Sequence, residues 1–177
     1  MENEIKDNIK LPENAFTELK EGEEYQPVMS PDKAYPEVNG WSVTWGVLMA
    51  ILFSAAAAYL GLRVGQVFEA AIPIAIIAVS TAAKRRNPLG ENVIIQSIGA
   101  CSGAVVAGAI FTLPALYILK DKYPEMSASF INILLSSLLG GILGILFLIP
   151  FRKYFVKDMH GKYPFPEATA TTQVLVS

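Results

Sequence analysis

At 177 residues the chain is 53% hydrophobic and 17% charged, with a mean hydropathy of +0.41, a balance that excludes an ordinary soluble domain and points to a membrane protein. The formal net charge of −2 hides an asymmetry, because residues 1–40 hold ten acids and four bases, net −6, while the remainder is +4. An acidic tail with the bases gathered at the edges of apolar segments excludes a nucleic-acid partner, and a single cysteine, Cys101, excludes an intrachain disulfide.

The tail mixes Glu, Lys, Asn and Pro with few aliphatics and cannot bury enough apolar surface to offset its chain entropy, so disorder is expected to about Tyr35. PDKAYPEVNGW, residues 31–41, reads as a linker or as a strap docked under the apolar part. No signal-peptide pattern precedes the first apolar run, which places the amino terminus in the cytoplasm. That run, residues 41–60, is a first span with Trp41 and Trp45 at headgroup level and small residues from Ser54 to Ala58. Gly61 is expected to end it, and Leu62 to Gln66 to form a polar turn.

The second apolar segment, residues 67–83, has about the shortest length that spans, so it either crosses or re-enters. Glu69 and Pro73 near its start indicate a broken entrance, or an acid at the water interface close to Arg63. Lys84-Arg85-Arg86 then gives a strong orientation signal. The third span, residues 92–119, offers about 27 apolar residues, roughly 40 Å of helix. Gly99, Gly103 and Ala107 recur every four positions, and Ala100, Ala104 and Gly108 do so beside them, a pattern suited to close helix approach. Cys101 reads as one more small packing residue. Glu91, Asn92 and Gln96 open this span and Pro114 lies near its far end. Such polar groups either cap the helix or face protein or a wet cavity.

The fourth span, residues 129–151, repeats the small-residue pattern with Ser136, Gly140 and Gly144 and runs into Arg152, Lys153 and Lys157. Four crossings with the amino terminus inside place eleven bases in the cytoplasm and three outside, which supports that orientation and a true second crossing. In YPFPEATATTQVL, residues 163–175, two prolines fix an extended approach and a fifth helix is expected to start at about 167. It stops after about one and a half turns of apolar sequence, so the chain reads as truncated. The fold expected is an all-α polytopic transmembrane bundle, four spans and the start of a fifth.

GLRVG with EAAIP after it, GENVIIQSIGACSGAVVAGAIFTLPAL and YPFPEATATTQVL occur in that order. Together they resemble the amino-terminal part of the oligopeptide transporter family, especially bacterial members related to its yellow stripe-like branch, over residues 41–177. The resemblance implies a proton-coupled secondary transporter for short peptides or metal chelates, a bundle of about sixteen helices of which this chain is the first quarter. It lies in a bacterial or archaeal cell membrane, beside the remaining helices or other copies of itself. Many family members resemble ENNIVQTIASAGE across the third span, with an acid where this chain has Gly103.

Proton coupling needs an acid that is loaded and released as the substrate alternates between faces. Motif position nominates Glu91 and Glu167, which read equally as helix caps, then Glu69, which reads also as an acid at the water interface. Asn92, Gln96 and Thr169 can hydrogen-bond a peptide or chelate, or glue helices together. His160, with no second ligand at metal spacing, reads as a solvated loop residue, and no cofactor or metal is expected. The chain has no HExxH, GxSxG or paired aspartates within its spans, so an enzyme is not expected. The alternative reading is a small membrane scaffold or regulatory subunit without transport of its own.

Overall fold

The computed structural model describes residues 10–85, 88–125 and 129–177; Lys6 and Arg86, counted in the orientation above, lie outside these. The described residues fold into helices without a strand: α1 (Gly40–Val64), α2 (Ala71–Ala82), α3 (Leu89–Lys122), α4 (Phe130–Lys153) and α5 (Pro166–Val176). Three stretches, Gly40–Val64, Leu89–Lys122 and Phe130–Asp158, are long and apolar enough to cross a membrane, whereas α2 has only 12 residues.

Local chemistry explains where α1 begins and ends. The Asn39 side chain accepts from the Ser42 N–H at 2.9 Å, and the Ser42 hydroxyl oxygen accepts from the Asn39 N–H at 3.0 Å, a reciprocal cap on two otherwise unpaired donors. Gly61 does not end the helix. It is buried within it, against Ile110, and the helix runs on to Val64. Gly65, at φ +75°, makes the left-handed terminus and donates its N–H to the Gly61 carbonyl at 2.8 Å.

Small residues set the packing. Gly46 lies against Ile98, Met49 against Gly99 and Gly61 against Ile110, so residue numbers rise together and α1 runs parallel to α3. Two parallel neighbours require the intervening chain to travel back over the same distance. It does so along α3, with Glu69 beside Gly103, Ile74 beside Gly99 and Arg85 bonded to Glu91. The expected second segment is therefore divided. Residues 65–70 are non-helical and α2 follows, about 18 Å of helix. Pro73 is tolerated because it is the third residue of α2, where the missing N–H has no intrahelical acceptor to lose.

The core is made by Met49, Ala70, Ile74, Ala78 and Ile95, with Trp41, Trp45 and Phe53 packed around it. α5 packs on α2 and touches α3. The small residues of α4 do not pack closely against the bundle: no residue of α4 is buried, and Gly140, Gly141 and Gly144 face open space. Cys101 is also exposed, on the outer side of α3. Past Pro150, α4 gives way to a π-helical turn, Tyr154–Asp158, and Phe155, Tyr163 and Phe165 form a line of rings leading to α5.

The tail has little regular structure beyond a 3₁₀ turn at Glu13–Ala15, yet it lies against the bundle. The Glu23 carboxylate accepts from the Lys20 N–H at 3.1 Å and from the Asn14 amide at 2.7 Å, and these bonds hold its pKa below the ordinary carboxylate range. His160 is not freely solvated. It is half-buried, with its ring 5.0 Å from that of Tyr25 and its Nε2 3.0 Å from the Asn14 carbonyl oxygen, which accepts.

Candidate functional site

A cavity of about 530 Å³ opens between α2, the first turns of α3, and α5. Three of the residues singled out from the sequence, Glu69, Gln96 and Glu167, line it. Each arrives by a different local device. Glu69 belongs to the non-helical stretch after Gly65 and stands just before α2, whose N-terminal N–H groups favour a negative charge nearby. Its carboxylate rests against Gly103, where a Cβ would lie 3.1 Å from Oε2, so the small residue on α3 makes room for the acid. Arg63, its expected neighbour, lies instead over the Tyr59 ring.

Glu167 is the second residue of α5, after Pro166, whose fixed φ suits a first helical position. Its side chain is exposed to the cavity side of a second helix N-terminus. Gln96 is half-buried one turn into α3 beyond Asn92. Thr171 and Thr172 complete the polar lining, although their hydroxyls donate to the carbonyls of Glu167 and Ala168 at 2.8 Å. Two carboxylates, an amide and the threonine hydroxyl oxygens can receive an ammonium group and bond to an extended peptide backbone.

The other three candidates are placed elsewhere. Glu91 is 1% exposed and is held by Arg85, whose Nε and Nη2 lie 2.5 and 2.6 Å from its two oxygens, and by the Asn39 amide at 2.5 Å. Arg85 also covers the Trp41 ring, 4.4 Å from its centroid. The result is a clasp joining the start of α1, the turn after α2 and the start of α3. Asn92 is 2% exposed and, among the described residues, its Oδ1 has no hydrogen-bond partner. Thr169 is half-buried on α5 and does not line the cavity. Arg85, Asn39 and the Thr171–Thr172 pair were not singled out from the sequence. Asn39 three residues before Ser42, and three bases directly after an apolar segment, were the available signals. Among the described residues no three His, Cys, Asp or Glu side chains converge as metal ligands.

Comparison with known proteins adds an independent line. A family model described as OPT oligopeptide transporter protein matches residues 37–177. A protein of Haemophilus influenzae, described as a "Putative oligopeptide transporter", is 32% identical over 120 residues, covering 66% of this chain and 18% of the relative. The match thus spans less than a fifth of that protein's length. No solved structure matches the chain.

Proposed function

Since this chain belongs to the OPT oligopeptide transporter family, and is an integral membrane protein by the length and apolarity of its helices, we propose that it forms part of the path of a proton-coupled secondary transporter. The cargo is a short peptide or a peptide-like metal chelate. The observation that carries this reading is the meeting of Glu69, Gln96 and Glu167 at one cavity, with Glu69 on the unwound stretch that divides the second membrane segment. Broken helices of this kind bring backbone groups and helix ends to the substrate and the coupling ion. Glu69 and Glu167 take the proton-coupling role, and Gln96 orients the cargo. Asn92 and Thr169 lie outside the cavity lining, and Glu91, bound to Arg85 and Asn39, anchors the fold. The amino terminus is cytoplasmic, and the divided segment crosses the membrane.

One observation favours the scaffold reading. Ala104, Gly108 and Thr112 of α3 face Asn132, Ser136 and Gly140 of α4 across an open groove of about 720 Å³, a shape suited to assembly with further helices.

Uptake of a radiolabelled alanine tripeptide, with an iron chelate as a parallel arm, separates the two readings in membrane vesicles carrying the protein. Glu69→Gln is expected to lower pH-gradient-driven uptake about tenfold or more, equivalent to about 1.4 kcal/mol in the limiting step, and Glu167→Gln to lower it as well. Both should leave the amount of protein in the membrane unchanged. Undiminished, still gradient-dependent uptake in both variants would remove these acids from the mechanism, and loss of uptake together with assembly would favour the scaffold.

A further inference from the structure

The tail segment is docked at two separate places, and between them it forms a wall of the cavity. The first dock is the loop after α4. Gly161, at φ +71°, faces the backbone of Thr17 and Glu18 so closely that no Cβ fits between them, Tyr25 stacks on His160, and the His160 ring meets the Asn14 carbonyl. The second is the start of α3, where a Cβ on Gly90 would lie 2.8 Å from both the Glu37 side chain and the Pro36 carbonyl oxygen. Leu11 ahead of the first dock, Tyr25 within it, and Val28 and Met29 between the two, all half-buried, line the same cavity as Glu69 and Glu167.

Two glycines whose missing side chains admit a passing backbone, one of them also at positive φ, specify a seat for the strap in a way that a merely solvated linker does not need. We propose that residues 10–37 are a latch that closes the cavity on the tail side, with Gly161, His160 and Tyr25 as its catch, and that passage between the cavity and that face of the membrane requires the catch to release. This rests on the reading of the cavity as part of a transport path, but its test does not use transport. The segment is thinly held. It has one short 3₁₀ turn and no buried side chain among its described residues, which suits an element that opens while the helices stay folded.

The test is the labelling rate of a Thr172→Cys reporter, in a Cys101→Ser background, by a membrane-impermeant maleimide applied to vesicles with the tail face outward. Labelling is expected to be slow in this protein and to rise about tenfold when Gly161→Val closes the seat or Tyr25→Ala removes the stacked ring. A protease site placed at the exposed residues 32–34 and cut after membrane insertion, followed by a salt wash, is expected to give the same rise without any question of folding. Fast labelling before cutting, or an unchanged rate after cutting and release of the strap, would overturn the latch. A rise in labelling, with no peptide or chelate uptake by the protein free of the reporter, would leave the latch standing and defeat the transport reading instead.

Discussion

Arg85→Ala is expected to destabilise the protein clearly, and more than any change at Glu91, because it leaves a buried carboxylate with only the Asn39 amide to hold it. The two sides of the ion pair are unequally placed. Glu91 is 2% exposed at the side chain and Arg85 is 40% exposed, so a stranded Glu91 is left with the Asn39 amide, whereas a stranded Arg85 turns to water. Glu91→Gln should therefore cost less, about 1–3 kcal/mol, since the amide oxygen can still accept from Arg85. The double replacement, Arg85→Gln with Glu91→Gln, should cost less than the sum of the single ones, as expected for residues in direct contact. The loss of the guanidinium over Trp41 contributes only about 0.5–1 kcal/mol to the difference. Tryptophan fluorescence during denaturation in detergent reads all of this, since Trp41 sits under Arg85. Equal and small costs for the two single variants would show that the clasp does not bear on stability.

Gly99→Leu is the second substitution with a large expected effect. A Cβ alone at Gly99 would lie 2.9 Å from Ile74 on α2 and 3.3 Å from Met49 on α1, so a leucine would push against both neighbours of α3 at once. Overpacking of this kind costs about 1–3 kcal/mol, and more where neither neighbour can yield. Gly99→Ala should be milder, and Ile74→Val beside it should recover part of the loss by shortening the side chain that is struck. Gly140→Ala on α4 is the control. It meets nothing within 4 Å, so better helix propensity should leave stability unchanged or raise it by up to about 1 kcal/mol. The midpoint of thermal unfolding, followed by size-exclusion chromatography, checks the series. A Gly140→Ala change as damaging as Gly99→Leu would mean that α4 is packed in the membrane.

The membrane class and the helical architecture were legible in the sequence because they rest on long unbroken apolar runs, which only a few arrangements can satisfy in lipid. α3 occupies Leu89–Lys122 around an expected 92–119, and α5 begins at Pro166 beside an expected 167. The choice of packing partner was not legible. Four crossings already make the first and third spans run in the same direction, but small residues every four positions announce a close approach without naming the neighbour, so Gly99 and Gly103 gave no warning that α1 would lie directly against α3 or that Glu69 would be the group set against Gly103.

The site divides in the same way. Glu69, Glu91 and Glu167 all stand near helix starts, and local sequence could not rank a cap against a cavity acid. Bonds spanning six residues from Arg85 and 52 from Asn39 separate Glu91 from the other two. The tail was expected to be structureless because its composition supports no core of its own. The seats that receive it, at Gly90 and Gly161, are remote in sequence and carry no local signature.

The parallel run of α1 and α3 bears on how the chain leaves the ribosome. A translocon can recognise α1 and α3 by length and apolarity as each emerges, but α2, at about 18 Å, is too short to be released into lipid unaided. With the crossing of the divided segment proposed above, α1 and α3 keep their native direction only once the residues between them have been carried back. Insertion is then expected to run out of chain order, with α2 drawn in behind the helix that follows it. A nascent chain stopped just after Arg85 should leave an acceptor tag beside Lys84 on the wrong face of the membrane, and one extended through Lys122 should bring that tag to the face that holds Asn39.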